Sequence, residues 1–220
     1  RFQIGGEGVE FGERHGAVDR PAVGAVDDVI GAIWYPHDGK CNPIDTTMAL
    51  AKGARMSGVK IFEDTLVTKI IVENGKAVGV ETEGGTIRAE NIVIAGGMWT
   101  RALAKTIGVD VPLQACEHFY IVTEGIEGIS PSMPVLRDPE GCGYFKEDAG
   151  KLLVGWFEPV AKPWGMKGIP DTFAFDALPE DFEHIAPLME SAVNRMPVVG
   201  ETGIRLFFNG PEAFTPDDRY

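Results

Sequence analysis

Residues 60–99 constrain the fold more than any other stretch, because they close on Asn91-Ile-Val-Ile-Ala-Gly-Gly-Met-Trp99. Ile92, Val93, Ile94 and Ala95 offer no polar face, which is the pattern of a strand buried on both sides. Gly96-Gly97 ends the run, and residues 99–106 read as a helix that stops at Gly108. Strand, glycine pair and helix together leave bare backbone N–H groups and a helix N-terminus where a phosphate or nucleotide can bind. The same residues suit plain strand-to-helix packing equally well.

The flanking sequence fills in an order of elements. Residues 1–30 are glycine-rich and charged with little periodicity, residues 27–35 carry a strand signal, and Pro36-His37-Asp38-Gly39 is a turn by composition. Asn42-Pro43-Ile44-Asp45 is a helix start: Asn as N-cap, Pro in the first turn, and an acid where the helix dipole favours it. That helix runs to Met56 and Gly58 caps it. Residues 59–62 resume as a strand, so this part reads as half of a βαβ unit. Strands over 66–72 and 77–82 are joined at Asn74-Gly75, a strong hairpin signal, and Gly84-Gly85 turns the chain into a third strand at 86–89.

Beyond Val111 the pattern changes. Residues 114–124 read as a strand, 131–139 as proline-rich chain, and 143–147 with 151–157 as an antiparallel hairpin around Asp148-Ala149-Gly150. A loop (159–170), a helix (178–196, despite Pro187), a last strand (203–208) and an irregular tail (209–217) follow. The expected class is α/β, of the α+β kind: a partial βαβ layer with a β-meander, and an antiparallel-sheet layer.

Chemistry is sparse. A formal net charge of -13 argues against nucleic acid or an anionic membrane as partner, since both call for basic patches. Three scattered cysteines without a Cys-x-x-Cys pair point to neither a disulfide framework nor zinc, and to a reducing compartment. No apolar run approaches the ~20 residues of a membrane span, and the acidic residues show no metal-ligand spacing. His118 and Tyr120 stand at i and i+2 of one predicted strand and so share a face, where they can bind a carboxylate or move a proton. Tyr144, on a neighbouring predicted strand, can join them. His37 in its turn, His184 on the surface of an acidic helix, His15, Trp156 and Trp164 are weaker candidates.

Several phrases carry a resemblance: Pro36-His-Asp-Gly-Lys-Cys-Asn-Pro43, Ala49-Leu-Ala-Lys-Gly-Ala-Arg55, Glu63-Asp-Thr-Leu-Val67, Ile92-Val-Ile-Ala-Gly-Gly-Met-Trp99 and Pro112-Leu113, in that order. Together they resemble the FAD-dependent oxidoreductases of the D-amino-acid oxidase and glycine oxidase type. Cys116-Glu-His-Phe-Tyr-Ile-Val-Thr-Glu124 and Asn209-Gly-Pro-Glu-Ala-Phe-Thr-Pro-Asp217 are similar to the sarcosine and dimethylglycine dehydrogenase branch. The resemblance implies a flavin that takes a hydride from a secondary or tertiary N-methyl amino acid, with oxygen or an electron-transfer protein as acceptor. It places Val67, Ala95, Gly96 and Trp99 beside FAD, His118 and Tyr144 as catalytic candidates in the substrate pocket, and Tyr120 in substrate binding. It implies an N-terminal segment (1–36) pairing with the substrate layer, a partial FAD-binding domain (37–110) and a substrate-binding domain (111–220). The localisation implied is cytoplasmic, or the mitochondrial matrix in a eukaryote.

The family's strand followed by Gly-x-Gly-x-x-Gly, which cradles the FAD pyrophosphate, has no counterpart in this sequence. The chain therefore reads as an internal piece of a longer enzyme, inactive by itself. The alternative is a non-catalytic small-molecule-binding or interaction module that has lost the flavin-binding end. A glycine-oxidase-like or glycerol-phosphate-dehydrogenase-like relative with another substrate is a third reading.

Overall fold

A computed structural model describes residues 10–12, 24–25 and 27–217. In chain order the elements are β1 (Glu10–Gly12), β2 (Ala32–Trp34), α1 (Pro43–Met56), β3 (Val67–Glu73), β4 (Lys76–Thr82) and β5 (Gly85–Arg88). A 3-10 turn (Gly97–Trp99) leads into α2 (Thr100–Lys105). Then come β6 (Gln114–Thr123), β7 (Leu136–Asp138), β8 (Gly143–Asp148), β9 (Lys151–Trp156), α3 (Phe182–Arg195), α4 (Val198–Glu201) and β10 (Ile204–Phe214). The class is mixed α/β with antiparallel sheets, as the sequence predicts. The chain divides into two compact units. One holds the described residues up to Cys41 with Phe119–Val160 and Pro179–Asn209; the other holds Asn42–His118, Ala161–Leu178 and the residues from Gly210 onward.

The first unit is built on a five-stranded sheet of order β10-β6-β9-β8-β7, whose strands β6 and β10 run on into the second unit. Alternation along β6 sends Phe119 and Ile121 into the core and leaves Tyr120 half-buried on the opposite face. Phe145, Leu152, Val154 and Trp156 complete the buried face. α3 covers it with Ile185 and Ala192, two turns apart on one helical stripe, and Met196 just past its end adds to the same core. Asp181 caps α3 by accepting from the His184 N–H at 3.0 Å, and Pro187 is tolerated inside the helix. Arg195, in the last turn of α3, donates to both carboxylate oxygens of Asp28 at 2.9 and 3.0 Å and to Asp138 at 2.8 Å. Those acids hold its guanidinium charged well above the usual range.

In the second unit Asn42 caps α1 as expected, accepting from the N–H groups of Ile44 and Asp45 at 3.0 and 3.1 Å. The meander β3-β4-β5 forms in the predicted order. Asn74 and Gly75 both take positive φ (51° and 76°), the two-residue turn that matches strand twist.

Several expectations fail. Residues 59–62 and 92–95 join no ladder among the described residues, and Val93 is 88% exposed, not buried. A strand exists only with a partner to satisfy its backbone, and an apolar run does not supply one. The tail is not irregular: β10 continues through Pro211 to Phe214. The strand signal over 27–35 shrinks to β2, which pairs with β1 in the segment that shows no periodicity. β7 and α4 carry no sequence signal that predicts them.

The Lys40 ammonium bonds the Glu147 carboxylate, and Glu147 also accepts from the Gly150 N–H at 2.9 Å. The Lys40 bond first, then that N–H, hold the Glu147 carboxyl below its usual range. Its charged form is the one favoured by folding, so the stabilisation is present above the ordinary glutamate value of about 4.3 and is lost as pH falls through the lowered folded value. Thermal unfolding of Glu147→Gln, followed from neutral to acid pH, loses less stability on acidification than the parent sequence does. In urea unfolding, Phe119→Ala costs about 3–5 kcal/mol, because its ring is fully buried in the core.

Candidate functional site

The antiparallel register brings four sequence-distant residues into one row of the first unit. Tyr120 of β6 pairs with Gly155 of β9, Gly155 pairs with Tyr144 of β8, and Tyr144 pairs with Arg137 of β7. Paired residues project to the same face, so the row lies on the side of the sheet away from the core. Gly155 shapes it. A Cβ there would lie 2.2 Å from Cζ and Oη of Tyr144, so the Tyr144 ring lies across β9 in the space a side chain would fill. Phe208 stacks on Tyr120 with centroids 4.7 Å apart, and Phe157 packs 5.6 Å from Tyr144. Burial, with the Asp148 carboxylate as a second cause, pushes the Tyr120 phenol above its ordinary value of 10.0. Tyr120 is therefore a neutral hydrogen-bond donor at physiological pH.

Tyr144 thus shares a row with Tyr120 but sits two strands away from it, with β9 between. Gly155 and Arg137 are the members of the row that sequence reasoning misses. The signals that could have found them are Leu136-Arg-Asp138, read only as proline-rich chain, and the lone glycine inside an apolar strand, which marks a close approach.

In the second unit, His118 is half-buried and its Nδ1 lies 3.6 Å from a carboxylate oxygen of Glu212 on β10. The glycine pair is open: Ala95, Gly96, Gly97 and Trp99 are exposed. Gly96 is not bare, however. Its N–H donates to Thr100 Oγ1 at 3.2 Å, and the six-residue α2 behind it has no side-chain cap. The expectation of a free anion-binding helix N-terminus there is corrected: the hydroxyl occupies one donor, and the helix is too short to present a strong dipole. Val67 opens β3 opposite Thr82, half-buried. The exposed backbone at Gly96 and Gly97 and the exposed Trp99 indole leave this corner open, and with one N–H taken by Thr100 they do not form a pyrophosphate cradle.

Weaker candidates resolve as follows. His184 is not a surface residue. Its Nε2 lies 3.0 Å from the buried Glu158 carboxylate and its ring stacks near Phe119, because the aromatic cluster at the start of α3 draws it inward. Trp156 is core, as expected of a sheet aromatic. Trp164 packs on Phe173. His37 is exposed in its turn, and His15 lies outside the described residues. No helix among the described residues is long and apolar enough to cross a membrane.

The family model for FAD dependent oxidoreductases (DAO) matches residues 6–220. The chain belongs to this family. The 4-methylaminobutanoate oxidase (formaldehyde-forming) of Paenarthrobacter nicotinovorans is 40% identical over 87% of the chain and 23% of the relative. Human mitochondrial sarcosine dehydrogenase is 39% identical over 88% and 21%. The mouse mitochondrial pyruvate dehydrogenase phosphatase regulatory subunit is 34% identical over 87% and 22%. The chain thus spans about a fifth of the length of the curated relatives it matches. Among solved structures, L-proline dehydrogenase from P. horikoshii has the same fold, with a TM-score of 0.78 at 23% identity over 95% of this chain and 54% of that one. FAD is the cofactor of the family.

Gly155→Ala forces the Tyr144 ring off β9. Urea unfolding shows a loss of about 1–3 kcal/mol, and the loss shrinks in a Tyr144→Ala background, where a double-mutant cycle isolates the pair.

Proposed function

We propose that the chain is part of an FAD-dependent oxidoreductase that oxidises a secondary or tertiary N-methyl amino acid, of the dimethylglycine or sarcosine kind, by hydride transfer to flavin. The observation that carries the reading is the family match over residues 6–220, together with 39–40% identity to relatives named for N-methylated substrates. FAD, when bound, supplies the hydride acceptor.

In this reading the chain's own residues bind and orient. Val67, Ala95, Gly96 and Trp99 meet the nucleoside end of FAD through open backbone and one indole. His118, held near Glu212, orients the substrate amine or its carboxylate. Tyr144 presents a hydroxyl above Gly155, and the Tyr120 phenol donates a hydrogen bond. The substrate gives up a hydride from its N-methyl carbon and becomes an iminium, and water or tetrahydrofolate receives the one-carbon unit. Oxygen or an electron-transfer protein is the final acceptor, and the compartment is the cytoplasm or, in a eukaryote, the mitochondrial matrix.

A second reading, a non-catalytic module on the same fold, is favoured by the 34% identity to a relative named as a regulatory subunit. One anaerobic experiment separates the two. Sarcosine, dimethylglycine or 4-methylaminobutanoate, added to the full-length protein, bleaches the flavin absorbance of the oxidoreductase, and His118→Ala slows the bleaching by about tenfold or more. A full-length protein that carries no flavin, or that none of the three amines bleaches, sinks the first reading and leaves the second.

A further inference from the structure

Glu158 and His184 form a pair that none of the chemistry above uses. The His184 Nε2 lies 3.0 Å from the Glu158 Oε1, and only 7% of the Glu158 side chain is exposed. A carboxylate can only accept, so the His184 Nε2 carries the hydrogen and donates it. Among the described residues no other group bonds that carboxylate. His184 is itself fixed from two sides. Its backbone N–H donates to the Asp181 cap at 3.0 Å, and its ring centroid lies 5.1 Å from that of the buried Phe119.

The alternation of β9 continues past its last residue. Trp156 is in the core, Phe157 packs 5.6 Å from Tyr144 on the face of the row, and Glu158 returns to the side covered by α3. The Phe157 N–H donates to the Cys142 carbonyl at 2.8 Å, one residue beyond the last β8–β9 pair, Gly143 with Trp156. Past that bond the ladder ends, and the Glu158 side chain ties the end of β9 to α3. A buried carboxylate with a single partner is held firmly to it, because an unpaired charge in a dry interior is costly. Phe157 is 39% exposed, so burial alone does not fix its ring.

From this geometry we infer that His184 and Glu158 are positioning residues for Tyr144. By holding Glu158 against α3, His184 sets the backbone at the end of β9, and with it the place of the Phe157 ring beside Tyr144. The inference rests on the function proposed above, in which Tyr144 faces the substrate. It adds two residues that act from the opposite face of the sheet, through Phe157.

Fluorine NMR on the full-length protein, labelled with meta-fluorotyrosine, tests the link without turnover; the Tyr144 resonance is the one lost in Tyr144→Phe. His184→Ala and Glu158→Ala break the same link from its two ends, and both move that resonance by more than its linewidth. His184→Gln, which keeps a donor for the carboxylate, restores its position. Ile185→Val, a core change on the next residue of α3, lowers the melting temperature and leaves the resonance in place. His184→Ala strands a buried carboxylate and can fail to fold, so Glu158→Ala, which removes that carboxylate, decides. The same Glu158→Ala protein reduces its flavin with sarcosine at a limiting rate about tenfold lower. The inference is overturned if Glu158→Ala leaves the Tyr144 resonance in place, if Ile185→Val moves it as far, or if it moves and the limiting rate does not fall. A protein whose Tyr144 resonance follows Glu158 yet is never bleached by an N-methyl amine refutes the oxidoreductase reading and keeps the link. One that is bleached while its Tyr144 resonance ignores Glu158 does the reverse.

Discussion

The lateral register of β6, β9, β8 and β7 is the constraint on which the first unit depends. It is fixed by backbone ladders and by the need to send Phe119, Ile121, Phe145, Val154 and Trp156 to one face. A slip of one residue would exchange the two faces of a strand and bury Tyr120 or Tyr144 in place of the core. Because the register cannot move, the opposite face is fixed as well, and Tyr120, Gly155, Tyr144 and Arg137 fall into line. Core packing thereby preorganises the polar row, without polar contacts having to hold it there.

Around this row the remaining ties are electrostatic and local. Lys40 fastens the loop after β2 to the β8–β9 turn through Glu147, and Arg195 fastens Ala25 and Asp28 to the end of α3. Both ties join chain segments more than a hundred residues apart in sequence. Each buried acid involved has a cationic partner, which spares the fold the cost of an uncompensated charge. Within the row, Arg137 lies 5.1 Å above the Phe157 ring centroid, and burial raises the Tyr120 phenol above its ordinary value.

Much of the fold is legible in the sequence wherever the signal is local. Asn42-Pro43 marks the start of α1, Asn74-Gly75 marks the hairpin, and the turn at Asp148-Ala149-Gly150 marks β8–β9, because caps and turns are decided by a few adjacent residues. The failures are non-local. Residues 92–95 look like a buried strand, but burial needs a partner, and Val93 stands exposed. β10 runs through a proline that reads as an irregular tail, because its neighbour β6 is some ninety positions away in sequence. The site divides the same way. His118 and Tyr120 are visible as a pair on one strand, whereas Arg137 and Gly155 acquire meaning only through a four-strand register that no sequence window contains. The family resemblance, shown by the match over residues 6–220, supplies the cofactor that local reading cannot.

The central claim is that Gly155 exists so that the Tyr144 ring can lie across β9 in the row between Tyr120 and Arg137. Proton NMR tests it most directly. One Gly155 α-proton points at the Tyr144 ring, so it is expected far upfield of an ordinary glycine and should show cross-relaxation to the tyrosine ring protons. Gly155 α-protons at ordinary shifts, with no cross-relaxation to Tyr144, would contradict the account.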